Sequence, residues 1–253
     1  MDSFISWIGG KKLLRKAICE RFPQSGVEKY VEVFGGAAWV LFYKDRHAKL
    51  EVYNDINSNL VNLFKCVKYH PNAIKDELEN LLYSRETFSF FKDMHKNPNL
   101  TDIQRAAMFF YLIRTSFASK VVNFGSKHKD ATNTDRLAEI RERLKAVVIE
   151  NKDFAALIKQ YDRPHTLFYC DPPYYGTERY YDHGDAPFTR EMHQKLAEIL
   201  RNIKGRVILS YNDDGFIREL YKGFNIEEIS RQNNLSPTAG REAYRELIIR
   251  NYS

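Results

Sequence analysis

Tyr30-Val31-Glu32-Val33-Phe34-Gly35-Gly36-Ala37 reads as a strand that runs into a two-glycine turn, and this stretch decides the fold class. Its β-branched and aromatic residues suit a buried position in a sheet. A second strand-like run, Leu50-Glu51-Val52-Tyr53, follows, and Ala37 to Lys44 reads as the helix between the two. Strand, helix and strand with a short crossover make a βαβ unit, which implies a parallel pair.

The alternation returns toward the end of the chain. Strands are expected at Thr166–Cys170, Arg206–Ser210, Asn225–Ile229 and Glu246–Ile249. Thr189 to Arg201 reads as a helix with Thr189 as its cap, apolar at Met192, Leu196, Ile199 and Leu200. The middle is different: from Asn57 to about Tyr161 the patterns are helical and no strand stands out. Thr101-Asp102-Ile103-Gln104 is a capping box that opens a helix through Ala106, Phe109, Phe110 and Ile113, and Asp135 to Lys145 is a second amphipathic segment. The expected architecture is an α/β core, residues 1–56 and 162–253, split by a helical insertion at 57–161.

The chain of 253 residues is long enough to bury a substantial core. Its formal net charge of +6 favours a polyanionic partner, although an ordinary basic protein has the same balance. Cys19, Cys66 and Cys170 are far apart and form no CxxC pair, and His165, His183 and His193 show no ligand spacing. No metal site and no disulfide framework are expected, which fits a reducing cytoplasm. No stretch approaches the roughly 20 apolar residues of a membrane helix, and the N-terminus does not read as a signal peptide. The expected setting is cytoplasmic, away from membranes.

In open α/β sheets, ligands bind beyond the carboxyl ends of the strands, where strand order reverses. Three sets of polar or flexible residues fall at such ends. The Gly35-Gly36 turn lacks the full phosphate cradle of GxGxxG or a P-loop, so it suits a nucleoside ligand without a pyrophosphate, such as S-adenosylmethionine; it also serves as a tight turn with no ligand. Asp55, after the second strand, can accept both hydroxyls of a ribose or cap the helix that starts near Asn57. Asp171-Pro172-Pro173-Tyr174, after the run Thr166–Cys170, offers a carboxylate, rigid carbonyls and a flat ring. Those groups can hold an exocyclic amino group and stack its base, or simply end a strand in a proline turn. Trp7-Ile8-Gly9-Gly10-Lys11 adds an indole that can pack on a cofactor or in the core, and an amine that can meet a carboxylate or phosphate.

Taken in order, these segments resemble the Dam-type (D12-class, α-group) DNA adenine N6-methyltransferases. The likeness runs through Phe4–Lys11, Glu32–Ala37, Asn54-Asp55-Ile56-Asn57, Asp171–Tyr174, Leu209-Ser210-Tyr211-Asn212 and Glu246–Tyr252, and covers nearly the whole chain apart from parts of the insertion. It implies a Rossmann-like S-adenosylmethionine-dependent methyltransferase sheet with a mainly helical target-recognition insertion. It implies that Trp7, Lys11, Glu32, Phe34, Gly35, Gly36, Asp55 and Asp171 line the cofactor site. It further implies that Asp171 and the carbonyl of Pro172 serve the amino group while Tyr174 stacks on the base. Double-stranded DNA is the implied partner, and a monomer or weak dimer of bacterial, archaeal or phage origin is expected.

Arg114–Lys129 carries four cations and no acid, so it is expected to lie on DNA. Arg114, Ser119, Lys120, Asn123, Ser126, Lys127 and Lys129 are the expected contacts; a solvated basic loop is the alternative. Ala118 to Lys129 departs from the Asn- and Pro-containing hairpin of the GATC-specific members, so no recognition sequence follows. Two other functions fit the same tip: N4 methylation of cytosine, and a non-catalytic DNA-binding protein that kept the fold. The tip leaves open whether Asp171 titrates normally or is raised by burial.

Overall fold

Alternating side chains build a sheet that is apolar on both faces, as in a parallel sheet covered by helices on each side. The computed structural model describes residues 1–125, 132–178, 188–231 and 244–253. Its strands are β1 (Lys29–Glu32), β2 (Leu50–Asn54), β3 (Val147–Glu150), β4 (Thr166–Cys170), β5 (Arg206–Asn212), β6 (Asn225–Arg231) and β7 (Tyr244–Arg250). The helices are α1 (Arg15–Glu20), α2 (Ser58–Tyr69), α3 (Pro71–Leu78), α4 (Arg85–Met94), α5 (Asp102–Thr115), α6 (Leu137–Leu144), α7 (Phe154–Tyr161), α8 (Arg190–Arg201) and α9 (Gly215–Leu220). The sheet order is β3-β2-β1-β4-β5-β7-β6. The first five strands in that order are mutually parallel, and β7 runs antiparallel between β5 and β6.

Two apolar cores flank the sheet. Tyr30, Tyr53, Leu167, Tyr169, Ile208 and Ile248 point into one, with residues of α2 and α5. Val31, Val52, Phe168, Cys170, Val207, Leu209 and Leu247 point into the other, with residues of α7, α8 and α9. The period of two along each strand therefore divides one apolar run between two cores.

Two expectations are corrected here. Ala37 to Lys44 is not a helix; it contains only a 3-10 turn, Leu41–Tyr43. Gly36 and Ala38 adopt left-handed backbone, with φ of 49° and 57°, and a helix cannot start through such residues. The stretch 57–161 is not strand-free: β3 lies inside it and pairs in parallel with β2. Val147 to Glu150 is a short edge strand directly after α6, so its apolar residues merge with the helical period. The limit at residue 161 thus encloses β3 and α7, which belong with the sheet.

Local chemistry explains the remaining elements. The box at Thr101 and Gln104 forms with both reciprocal bonds. Thr189 occupies the N-cap position of α8, yet its side chain accepts no N–H of that helix. Within α6, Arg143 reaches back to β2 and pairs bidentately with Glu51 at 2.7 and 2.8 Å. These two side chains are 7% and 2% exposed, so a buried ion pair ties the helical region to the sheet. Among the described residues no helix is long and apolar enough to cross a membrane.

Candidate active site

β1 lies between β2 and β4, and the chain builds outward from it in both directions. The carboxyl ends of β1 and β4 are therefore a switch point, where helices leave opposite faces of the sheet and a crevice opens. A cleft open to solvent sits there. Trp7, Lys11, Glu32, Phe34, Gly35, Gly36, Asp55 and Asp171 all line it.

The turn after β1 is stitched to the end of β2. Gly35 N–H donates to the Asn54 carbonyl at 2.7 Å, and the Tyr53 hydroxyl donates to the Gly36 carbonyl at 2.9 Å. Asn54 Nδ2 donates to the Val33 and Lys152 carbonyls. A Cβ at Gly35 would lie 2.2 Å from Tyr53 Cε2, so glycine is needed there for close approach rather than for φ. Asp55 then bridges the two turns: Oδ2 accepts the Gly36 N–H and Oδ1 the Asn57 N–H, each at 2.8 Å. The cap of α2 is Asn57, whose side chain accepts the Leu60 N–H. Burial raises the Asp55 pKa, and the backbone donors offset part of that rise.

The N-terminal segment brings a cation from far along the chain. Gly9, at φ 72°, turns the backbone ahead of α1, and Lys11 Nζ bonds the Gly9 carbonyl at 2.7 Å. The same ammonium pairs with Asp171 Oδ1 at 2.8 Å; Lys11 is 5% exposed and Asp171 is 17% exposed. Ser210 Oγ, on β5, donates to that oxygen at 2.8 Å and is itself joined to the Tyr169 hydroxyl at 3.0 Å. Both bonds end on Oδ1. Burial pushes the Asp171 pKa up, while Lys11 and Ser210 pull it back, and the net direction is upward. Glu32, at the end of β1, pairs with no cation among the described residues. Burial pushes it to about 8 despite the bond from the Tyr30 hydroxyl at 2.6 Å. Burial thus raises both neighbouring carboxyls, and Asp171 alone has an ammonium in direct contact among the described residues.

Beyond Asp171, Pro172 is buried and Tyr174 is half-buried. The Tyr174 ring lies under Lys11 Nζ, 4.6 Å from its centroid, and its hydroxyl donates to Glu246 Oε2 at 2.5 Å. Trp7 packs at the Gly36 turn, its Cδ1 3.1 Å from where a Cβ on Gly36 would lie, and tilts against Phe109 of α5.

The basic segment is only partly brought to the cleft. Ser119 and Lys120 line it together with Val121. Ser119 and Val121 hold left-handed φ of 57° and 59°, which non-glycine residues rarely adopt. Arg114 lines a neighbouring depression with Lys12, Arg136 and Ser119 and reaches the Phe4 carbonyl at 3.4 Å. Asn123 is exposed and away from the cleft, with its carbonyl accepting the Phe117 N–H. Ser126, Lys127 and Lys129 lie outside the described residues. Among the described residues, no group of three His, Cys, Asp or Glu side chains is placed to hold a metal ion.

Ser210, Glu246, Tyr169, Trp39 and Phe188 belong to this neighbourhood without having stood out as site residues. Two left a signal: Ser210 directly follows the apolar run Val207-Ile208-Leu209, and Glu246 is a carboxylate leading Leu247-Ile248-Ile249. A buried polar residue in an apolar strand needs a partner, and here the partners are Asp171 and Tyr174.

The chain is similar to known proteins over most of its length. The family model for D12 class N6 adenine-specific DNA methyltransferases matches residues 7–235. A type II methyltransferase of Methanocaldococcus jannaschii, M.MjaIII, is 28% identical, the alignment covering 98% of both chains. The retron Ec67 DNA adenine methylase of Escherichia coli is 26% identical over 98% of this chain and 90% of its own. The DNA adenine methylase of Haemophilus influenzae is 23% identical over 97% of this chain and 92% of its own. The match spans both sides of the cleft and the helical region between them, which decides for adenine over cytosine and for an enzyme over a bare binding fold: the chain belongs to the D12 class of N6 adenine-specific DNA methyltransferases.

Proposed function

We propose that the cleft binds S-adenosylmethionine next to an adenine extruded from duplex DNA, with Asp171 and the Pro172 carbonyl holding the amino group and Tyr174 stacking on the ring. The observation that carries this reading is the state of Asp171. Lys11 and Ser210 fix the carboxylate through Oδ1 alone, and Oδ2 makes no bond among the described residues. A carboxylate oriented by one oxygen can accept an amino N–H with the other.

The cofactor supplies a methyl group made electrophilic by its sulfonium. The residues present fit it. Asp55, whose oxygens are oriented by the Gly36 and Asn57 N–H groups, keeps lone-pair capacity for a ribose hydroxyl. Trp7 and Phe34 offer apolar faces in the same cleft.

The amino nitrogen of adenine is a poor nucleophile because its lone pair is delocalised into the ring. Hydrogen bonds from its two N–H groups to Asp171 and to the Pro172 carbonyl favour a pyramidal nitrogen. Positive charge grows on that nitrogen during attack, and the Asp171 carboxylate stabilises it. Orientation supplies much of the remaining rate gain. Extrusion of the base costs a few kcal/mol, which the Tyr174 face offsets by restacking it. The helical region within 57–161, with the basic segment at the cleft mouth, serves as the DNA-recognition insertion, its cations on phosphates and its polar side chains toward base edges.

The test is methyl transfer from labelled S-adenosylmethionine to DNA of varied sequence, with the modified base identified by mass spectrometry. Asp171→Ala is expected to lower the rate by a factor on the order of 10² to 10³ or more while remaining folded, with a lower melting temperature because Lys11 loses its partner. An active Asp171→Ala variant refutes the assigned role.

A further inference from the structure

Glu246 is a buried carboxylate that the chemistry above does not use. It is 6% exposed and stands in β7 ahead of Leu247, Ile248 and Ile249, which are all fully buried. The register sets it opposite Asn212 of β5, so the antiparallel pairing carries its side chain to the tip beyond β4. There it accepts the Tyr174 hydroxyl at 2.5 Å. Burying a carboxylate in an apolar strand is costly, and an apolar residue of similar volume would pack there without that cost. What the carboxylate adds is a charge-assisted hydrogen bond with a defined direction.

That direction matters because of what it fixes. The χ2 torsion of a tyrosine is soft, so ring packing alone leaves the plane free to tilt. Tyr174 has Lys11 Nζ over its ring and Tyr211 stacked at 6.2 Å, with 27° between the planes. Neither contact holds the hydroxyl. Glu246 does, and Lys11 links the same ring to Asp171.

We propose that Glu246 is a positioning residue for methyl transfer: by anchoring the Tyr174 hydroxyl it fixes the plane of the ring, so that the face offered to the extruded adenine is aligned with Asp171 before DNA binds. This rests on the reading of Tyr174 as the stacking residue.

The experiment is single-turnover transfer from labelled S-adenosylmethionine to unmethylated bacterial chromosomal DNA, at saturating cofactor and DNA. Glu246→Ala is expected to slow the rate roughly tenfold, the scale of leaving one side chain to be ordered during the reaction, with the KM for cofactor within about twofold of the parent. Glu246→Gln keeps an acceptor oxygen and is expected to retain at least about half the rate. Tyr174→Phe should be as slow as Glu246→Ala, and the double variant no slower than Tyr174→Phe.

A full rate in Glu246→Ala overturns the proposal. So does a Gln variant as slow as Ala, or a double variant in which the two losses multiply. Where Glu246→Ala fails to fold, Tyr174→Phe still decides, since a full rate there removes any role for the hydroxyl. Tyr174→Ala separates the two layers. If it is slow while Glu246→Ala is normal, only the positioning role falls; if Tyr174→Ala is fully active, the stacking reading falls and takes the positioning role with it.

Discussion

Replacing Glu32 by Gln tests the electrostatics of the cleft floor. Gln keeps the shape of the side chain and an acceptor oxygen for the Tyr30 hydroxyl, which bonds Glu32 at 2.6 Å, and it removes the ionisable group. Glu32 is 1% exposed, and its burial pushes the pKa from 4.5 to about 8; the nearby Asp171 charge adds to the rise, while the Tyr30 hydroxyl and the Leu41 N–H oppose it. In the unfolded chain the carboxyl ionises near 4.5, whereas in the folded chain it keeps its proton to about 8. The folded state therefore binds the extra proton across that window. The associated stability is fully present below 4.5 and is lost as pH rises toward 8. The slope is about 1.4 kcal/mol per pH unit, and the full window corresponds to about 5 kcal/mol. Urea unfolding of the parent and of Glu32→Gln across this range isolates the effect, because other titrating groups cancel in the difference. The parent is expected to lose ground to the variant by about 1.4 kcal/mol for each unit of pH. A difference that stays flat with pH would mean that Glu32 is ionised in the fold. The account of Glu32 as a carboxyl raised by burial would then be wrong.

Asp55→Ala leaves the Gly36 and Asn57 N–H groups without their acceptor, so a stability loss of about 1–3 kcal/mol is expected, with weaker S-adenosylmethionine binding by calorimetry. Unchanged cofactor affinity would count against a ribose contact. Gly35→Ala forces a Cβ to within 2.2 Å of Tyr53 Cε2 and 2.8 Å of the Asn54 carbonyl, and thermal unfolding should report a loss of about 1–3 kcal/mol. Arg143→Met strands Glu51 in the interior and is expected to cost about 3–5 kcal/mol in urea unfolding. Adding Glu51→Met should recover much of that loss; a double variant as unstable as the single one would contradict the ion-pair account.

Much of the sheet was legible because apolar runs with helices on both sides keep a strong local signal. Thr166–Cys170 is a strand over the expected residues, since both of its faces are buried. The signal failed where local pattern and long-range pairing diverge. β3 is short, sits at the sheet edge and follows an amphipathic helix, so only its pairing with β2 marks it as a strand. Ala37 to Lys44 has helical composition, but Gly36 and Ala38 take left-handed backbone and break the helix at its start.

The site divides in the same way. Asp171, Asp55 and the Gly35-Gly36 turn follow strand ends, and the sequence by itself determined that they share one edge, since parallel strands all point their carboxyl ends the same way. The sequence could not say that Lys11 reaches Asp171 from the other end of the chain, or that β7 inserts beside β5. Those pairings decide that Ser210 orients Asp171 and that Glu246 meets Tyr174. They also decide that Asp171 has an ammonium beside it and Glu32 does not. Local periodicity records which face of an element is buried. Which distant side chain arrives opposite it is set by strand order and register, and these exist only once the chain has folded.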